Sequence, residues 1–204
     1  MKKINAIVLV IMLLASAGAL FSSCSGDDTS DDYRNQMSDI FQNLKDSYAG
    51  YLTIPDNSTK EFKVRVGDDA SDGAVTTKIK VDDFPMEMIY ARLYPNDWIR
   101  VTSDNAVKYE APIDSVGFQT SFMNFKTNND LTAQTEFGFK DSKGVHHSGW
   151  AKISTVGMFF SSLGTMNLEF NVIDLVVDNA DRTSLLPLSF SVTVQKESAT
   201  TSTE

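Results

Sequence analysis

Apolar and polar residues alternate with two different periods along this chain. After residue 32, apolar side chains return every three or four positions, which is the period of an amphipathic helix. This stripe consists of Tyr33, Met37, Ile40, Phe41, Leu44 and Tyr48. From Gly50 onward the period falls to two over most of the chain, as in strands with one buried face. The pattern predicts one N-terminal helix of about four turns, ended by Gly50, and a β-rich remainder.

Short clusters of turn-forming residues separate the alternating segments. The expected inward positions are Leu52 and Ile54; Phe62, Val64 and Val66; Thr77, Ile79 and Val81; Thr135, Phe137 and Phe139; Met166, Leu168, Phe170 and Val172; Leu188, Phe190, Val192 and Val194. About eight or nine such strands, without a regular alternation of strands and helices, predict an antiparallel barrel or a β-sandwich over residues 32–196. Both architectures bury one face of every strand, so the pattern leaves the choice between them open.

The middle of the chain interrupts the alternation. An aspartate, Asp82 or Asp83, is available as the cap of a short internal helix that ends near Leu93, and Pro85 suits its first position. Trp98 and Val101 are expected to begin a further strand. In the following ambiguous stretch, the predicted buried anchors are Val107, Tyr109 and Ile113.

Two further segments are predicted as loops. Residues 67–73 are expected to form a solvated polar turn, because they lack the glutamate that a hand-type calcium loop places at its last position. Residues 157–164 are expected to form a loop that carries Met158, Phe159 and Phe160. We expect these three side chains to tuck under the sheet, with the lining of a cavity mouth as the alternative.

The N-terminus has the three-part design of a secretory signal peptide. Lys2 and Lys3 precede an aliphatic run, and small residues precede Cys24, which is the only cysteine. A transmembrane anchor is the alternative, but the apolar run over residues 6–21 is shorter than the roughly 20 residues that a spanning helix needs. Residues 1–23 are therefore expected to be removed.

The segment from Phe21 to Cys24 resembles the lipobox of bacterial lipoproteins, although Phe21 departs from the more usual leucine. The resemblance implies that Cys24 carries a diacylglycerol and an acyl chain, such as palmitate, on its new amino terminus. Several acyl chains hold a protein on a membrane much more firmly than one chain. The expected partner is therefore the membrane, through the lipid on Cys24.

An acidic tether over residues 24–31 contains three aspartates, with Asp32 directly after it, and no apolar side chain apart from the cysteine. It resembles the stretch that routes lipoproteins of the Bacteroidota to the outer face of the outer membrane, which implies a lipid-anchored, surface-exposed protein. The whole chain carries a formal charge of -9, which argues against nucleic acid as a partner because phosphates would be repelled. Residues 197–204 are expected to form a disordered tail.

The approach to the first strand carries a second resemblance. The helix runs into Tyr48-Ala49-Gly50 and then Leu52, which is similar to uncharacterised calycin-like lipoproteins of gut Bacteroidota, of the roughly 200-residue domain-of-unknown-function type. The resemblance implies a calycin-like barrel. It implies no activity, because that family has none established.

The residues offer little catalytic chemistry. His146 and His147 are neighbours and should point to opposite faces of a strand, so they are poorly placed to bind one metal ion. The sequence contains neither a nucleophile elbow nor a phosphate-binding loop. A glycosidase pair stays open on counting alone, but most carboxylates lie in turns, where solvation explains them. We therefore expect no catalytic residue, no metal site and no cofactor, and hence a protein that is not an enzyme.

Two sequence features suggest binding surfaces. Trp150 should face away from the buried Ala151 and Ile153, as a platform for a sugar or a protein partner, whereas Trp98 could be either buried or exposed. A basic stripe could meet an anionic glycan or a lipid head group, although a solvated face with edge-protecting lysines explains it as well. The members of this stripe are Lys63, Arg65, Lys78 and Lys80.

These observations predict a non-catalytic binding module for a small hydrophobic or glycan ligand. An internal cavity would favour that hypothesis, because small barrels are often filled by their own side chains. The alternative is an accessory or interaction protein of a cell-envelope complex, acting as a subunit or as an inhibitor. One exposed patch of aromatic residues such as Tyr51, Trp150 and Phe159 would favour the alternative.

Overall fold

The computed structural model describes residues 29–70, 75–119, 121–128 and 134–197. Two α-helices lie in this part of the chain, α1 at Thr29–Leu44 and α2 at Glu87–Leu93. The strands are β1 Ser47–Thr53, β2 Thr59–Asp69, β3 Thr76–Val81, β4 Thr102–Ser103, β5 Tyr109–Phe118, β6 Met123–Thr127, β7 Thr135–Lys140, β8 His146–Phe160, β9 Thr165–Val177, β10 Ala180–Asp181 and β11 Leu188–Lys196. Short 3₁₀-helices occur at Trp98–Arg100 and Thr183–Leu185. No helix of the described residues is long and apolar enough to cross a membrane.

Eight of the strands form a closed antiparallel barrel. Their order is β9, β11, β1, β2, β3, β5, β6 and β8, and the pairing of β8 with β9 closes the ring. The protein is therefore mainly β, and of the two predicted architectures the barrel is confirmed. Because the ring is closed, each of its strands is paired on both sides along at least part of its length.

Two barrel strands continue beyond the ring and build an extension. The half of β8 that β6 does not cover pairs with β7, from Thr135 opposite Ala151 to Lys140 opposite His146. β4 adds to the outer edge of β7, and β10 pairs with the end of β9. The extension brings β4, β7, β8 and β9 together beside the barrel.

A β-bulge keeps the long strand β9 in register with the core. Lys152 lies opposite Asp174 and Ile153 lies opposite Val172, so Ile173 is an extra residue. Its side chain is 40% exposed, whereas Val172 and Leu175 on either side of the bulge are buried. The bulge therefore allows both halves of β9 to turn their apolar side chains inward.

Aromatic side chains fill the barrel. Phe84, which lies between β3 and α2, is 1% exposed and donates its backbone N–H to the carbonyl oxygen of Val107 at 2.7 Å. Its ring centroid lies 5.7 Å from those of Tyr109 and Phe170 and 5.6 Å from that of Phe190. The axis is thus occupied by the chain's own side chains, as in other small barrels.

The N-terminal helix ends earlier than the sequence predicts. α1 stops at Leu44, and Tyr48 already lies in β1, so Gly50 does not end the helix. The apolar stripe continues past the helix because Leu44 and Tyr48 both enter the core, where the Tyr48 hydroxyl donates to the Leu44 carbonyl oxygen at 2.7 Å.

Two local predictions in the middle of the chain are wrong. Trp98 to Val101 does not begin a strand, because Trp98–Arg100 is a 3₁₀-helix. α2 has Met86 as its N-cap without a side-chain hydrogen bond, so neither Asp82 nor Asp83 caps it. The internal helix itself is confirmed and ends at Leu93 as predicted. Of the predicted anchors, Val107 and Tyr109 are buried and Ile113 is partly buried.

The two predicted loops begin later than expected. β2 extends through Asp69, and residues 71–73 lie outside the described residues. β8 extends through Phe160, so the prediction of a loop beginning at Gly157 is wrong. Phe159 is fully buried, which confirms that it tucks under the sheet, whereas Met158 and Phe160 are half-buried. Glycine at 157 contributes no side chain to the alternation, which hides the strand in the sequence.

Candidate ligand-binding cleft

A cleft of about 530 Å³ lies on the extension, between the segment that follows β4 and strands β7, β8 and β9. This volume falls within the range of roughly 300–1,000 Å³ that is usual for ligand sites. Its lining residues are Asp104, Asn105, Ala106, Val107, Glu136, Phe137, Gly138, Ser148, Gly149, Trp150, Val176 and Asn179.

Two glycines allow the walls of the cleft to approach each other closely. A Cβ atom on Gly138 would collide with the Asp104 carboxylate, and the Asp104 N–H donates to the Gly138 carbonyl oxygen at 3.0 Å. A Cβ atom on Gly149 would collide with the Val176 carbonyl oxygen and would lie 3.0 Å from the Phe137 ring. Because neither glycine has a side chain, the segments of the cleft can lie close together, and its floor stays uncovered.

Trp150 is the largest side chain in the cleft. It lies on β8 opposite Glu136 of β7 and Val176 of β9, so the three form one row across the extension. Ala151 is fully buried on the other face while Trp150 is half-buried, which confirms the predicted orientation. No aromatic ring in the described part of the chain stacks on the Trp150 indole. The indole therefore lines the cleft without a ring of the described chain stacked on it.

Polar groups surround this indole. An oxygen of the Asp104 carboxylate lies 2.6 Å from His146 Nε2, within hydrogen-bond distance. Glu136, Asn105 and Asn179 are exposed and present carboxylate and amide groups at the surface. The cleft therefore combines an apolar surface with both donors and acceptors of hydrogen bonds.

His147 points to the other face of β8 and supports a wall of the cleft from behind. Its Nδ1 lies 2.6 Å from an oxygen of Asp178, and its ring stacks on Phe139 at 5.0 Å. The hydrogen bond to Asp178 raises the pKa of His147 above its usual value, against the opposing effect of burial, and the negative charge of Asp141 adds to the rise. Nε2 lies 3.6 Å from Asp141, which is too long for a hydrogen bond.

The same contact anchors the turn after β9. Asp178 also accepts the Ser148 N–H at 3.2 Å, and its own N–H donates to the Ser148 carbonyl oxygen at 2.8 Å. The hydrogen bond from His147 lowers the pKa of Asp178, with a further contribution from the Ser148 N–H. The next residue, Asn179, lines the cleft, so His147 indirectly fixes its position.

A second depression, also of about 530 Å³, lies beside α2 and the first 3₁₀-helix, and it shares Asn105 and Ala106 with the cleft. Within it, Lys60 Nζ lies 3.1 Å from an Asp83 oxygen and 3.0 Å from Glu87 Oε1. Burial opposes the charge of Lys60, yet its bonds to Glu87 and Asp83 raise the pKa of Lys60. The other oxygen, Glu87 Oε2, is buried and has no hydrogen-bond partner.

The basic stripe predicted on β2 and β3 is interrupted by carboxylates. Lys78 lies 3.1 Å from Asp69 and 2.7 Å from Glu110, and Lys80 contacts the same two carboxylates at 3.0 and 3.3 Å. Lys63 contacts Glu61 at 3.3 Å. Most of the positive charge in the stripe is thus neutralised locally, which weakens the argument for an anionic ligand there.

The remaining sequence predictions have different outcomes. Cys24, the predicted lipidation site, lies outside the described residues. The proposed aromatic patch does not form as expected, because Phe159 is fully buried while Tyr51 is 73% exposed. Among the described residues, no group of three His, Cys, Asp or Glu side chains is arranged to hold a metal ion.

No protein-family model, curated protein or solved structure matches this chain.

Sequence reasoning identified Trp150 but missed the cleft around it. Asp104, Glu136 and Asn179 come from segments that are far apart in the chain, and only the pairing of β7, β8 and β9 brings them together. The signal that could have located the cleft is the pair of strand glycines, Gly138 and Gly149, because such glycines often mark a close approach of another segment.

Proposed function

We propose that this protein is a lipid-anchored, non-catalytic binding module that holds a neutral glycan in the Trp150 cleft. The observation that carries the proposal is the half-buried indole of Trp150, which has no ring partner in the described chain and lies beside exposed amide and carboxylate groups. A sugar ring has an apolar C–H face that packs on an aromatic ring, and hydroxyl groups that pair with amides and carboxylates. The cleft offers both kinds of contact.

The interior of the barrel favours a glycan over a small hydrophobic ligand. Phe84, Tyr109 and Phe170 occupy the barrel axis, where lipid-binding barrels keep a cavity. The cleft outside the barrel is rich in polar groups, which suit hydroxyls better than hydrocarbon.

The charge of the cleft favours a neutral ligand. Asp104 and Glu136 both line it, and the whole chain has a formal charge of -9. A uronate or a sulfated sugar would be repelled by these carboxylates and by the overall field of the protein.

The state of the cleft carboxylates favours binding without hydrolysis. A glycosidase needs one carboxylic acid that burial keeps protonated near neutral pH, next to a second carboxylate. Glu136 is exposed, and the Asp104 carboxylate is engaged by His146 at 2.6 Å. We therefore propose a binding protein and not an enzyme.

The proposed location rests on the sequence. Lipidation of Cys24 would tether the protein to the outer membrane, and the acidic residues that follow would direct it to the cell surface. The closed eight-stranded barrel is consistent with the calycin-like fold that the resemblance to lipoproteins of Bacteroidota implies. Labelling of cells with radioactive palmitate should mark the wild-type protein and leave Cys24→Ala unlabelled; label on the variant would contradict lipidation at Cys24.

Calorimetry on the full chain tests the glycan proposal. The protein should be extracted in a detergent without a sugar head group and titrated with neutral gluco- and manno-oligosaccharides. Trp150→Ala should weaken binding at least about tenfold, which corresponds to about 1.4 kcal/mol. The matched control is Tyr51→Ala, which removes an exposed aromatic side chain outside the cleft and should bind as the wild type does. Equal affinities of Trp150→Ala and wild type, or no binding of any neutral saccharide, would overturn the proposal.

A further inference from the structure

We propose that the binding site continues past the Trp150 cleft into the second depression, so that the ligand is a linear neutral oligosaccharide and not a single sugar. This inference rests on the proposed function and specifies its ligand. It assigns Trp98 and Ile99 to a second subsite, at the far end of one groove.

The two depressions adjoin each other. Each has a volume of about 530 Å³, and both are lined by Asn105 and Ala106, which form the ridge between them. A chain of sugars that leaves the Trp150 cleft across this ridge enters the second depression directly. A single sugar would occupy only one of the two.

The ridge is held in place from both sides. Just before it, Thr102 and Ser103 pair with Lys140 and Phe139 of β7, which ties the ridge to the extension. The hydroxyls of Ser103 and Tyr90 lie 2.8 Å apart, which ties it to α2. The groove is therefore built on fixed elements, and a ligand would not have to order it, which lowers the cost of binding.

The second depression repeats the chemistry of the first. Trp98 is half-buried against the core, and Ile99 beside it is 71% exposed, so the depression has an apolar surface. Beside this surface, Lys60 offers a cationic donor, and the exposed Asp83 carboxylate offers oxygens that can accept hydrogen bonds from sugar hydroxyls.

The charge of the groove restricts the class of oligosaccharide. Asp56, Asp83 and Glu87 line the second depression, where Lys60 is already paired with two of them. With the carboxylates of the first cleft, the groove is negative along its length. A neutral chain meets no repulsion there, whereas a polyuronate would carry one negative charge for each sugar.

The dependence of affinity on ligand length tests the inference. The full chain, in a detergent without a sugar head group, should be titrated by calorimetry with gluco- and manno-oligosaccharides from the monosaccharide to the hexasaccharide, and with oligogalacturonate as the anionic probe. For the neutral series that binds, the hexasaccharide should bind at least about tenfold more tightly than the disaccharide. Oligogalacturonate should bind more weakly than the neutral hexasaccharide.

A matched pair of variants locates the second subsite. Ile99→Arg places a long side chain in the second depression and should abolish the gain with length, while the binding of the monosaccharide stays unchanged. Leu163→Arg makes the same chemical change at a residue that is 65% exposed in the turn after β8 and lines neither depression, and it should retain the gain. Both residues are exposed, so both variants should fold, which circular dichroism can verify.

The outcomes separate the two proposals. If a saccharide binds through Trp150 but affinity does not rise with length, or if Ile99→Arg retains the full gain, the second subsite is refuted and the single cleft stands. If no neutral saccharide binds in a manner that depends on Trp150, both the proposed function and this inference fail.

Discussion

Short contacts between side chains decide the geometry of the cleft at the scale of single residues. His146 and His147 are neighbours in β8, yet each is held by a different aspartate at 2.6 Å, Asp104 on one face and Asp178 on the other. Asp104 lines the cleft itself, and Asp178 precedes the lining residue Asn179. The two histidines therefore contact aspartates on both sides of the cleft. From their adjacency in the sequence we expected only two polar residues beside a turn.

The His147–Asp178 contact should make stability depend on pH. Because the pKa of His147 is raised in the folded protein, the protonated side chain stabilises the fold. This stabilisation is fully present below about pH 6.5, the pKa of His147 in the unfolded chain, and is lost as the pH rises through the pKa in the folded protein. The lowered pKa of Asp178 adds stability above about 3.9, which is lost as pH falls through its folded value. His147→Asn should therefore lower the Tm more at pH about 5.5 than at pH about 9. Thermal unfolding followed by circular dichroism at both pH values measures the difference.

Asp178→Asn provides the control for this pH effect. Because it removes the partner, adding His147→Asn to that variant should change the Tm much less at pH about 5.5 than adding it to the wild type. An equal change in both backgrounds would show that the stabilisation does not come from this pair.

At the scale of elements, β8 connects the barrel to the cleft. Its C-terminal half pairs with β6 within the ring of the barrel, and its N-terminal half pairs with β7 and carries Trp150. In the barrel half, Gly157 lies opposite Phe125 of β6, whose ring covers the space where a side chain would be. The glycine therefore allows an aromatic ring to lie flat against the strand at the closure of the barrel.

Gly157→Ala should destabilise the protein by about 1–3 kcal/mol, because the new methyl group would collide with the Phe125 ring. Gly117→Ala is the matched control, since a Cβ atom there would meet nothing within 4 Å. We expect that substitution to be neutral or slightly stabilising, through a reduced entropy of the unfolded chain. Urea unfolding of both variants measures the difference, and a similar cost at the two positions would contradict the proposed role of the Phe125 ring.

At the scale of the whole molecule, an aromatic plug gives the barrel a filled interior and leaves binding to its outside. Phe84 enters from the segment between β3 and α2 and contacts rings on β5, β9 and β11. The plug thus joins strands from opposite parts of the ring. The carbonyl oxygen of Phe84 also accepts the N–H of Met86, the N-cap of α2, at 2.8 Å.

Phe84→Ala should lower the free energy of unfolding by about 3–5 kcal/mol, because it opens a cavity among packed rings. Phe84→Leu retains most of the volume and should cost much less. Urea unfolding distinguishes the two, and equal small losses for both would show that Phe84 does not fill the interior.

The sequence pattern predicted which face of each strand is buried, because alternation is a local property. It could not choose the barrel over the sandwich, since the pairing of β1 with β11 and of β6 with β8 depends on contacts between distant segments. The 3₁₀-helix at Trp98–Arg100 was missed because three residues are too few to distinguish a period of three from the period of two of a strand. The orientation of the Trp150 side chain could be predicted from the alternation along β8 alone. The cleft could not be predicted, because residues of three strands and of the segment after β4 form it.

The most direct measurement of the central claim is the NMR signal of the Trp150 indole N–H during titration with a neutral hexasaccharide. The chain has two tryptophans, so Trp150→Phe assigns the two indole signals. We expect the Trp150 signal to shift until the protein is saturated, with the midpoint of the shift at the saccharide concentration that the calorimetric affinity predicts. A Trp150 signal that stays in place at saturating saccharide would contradict this claim.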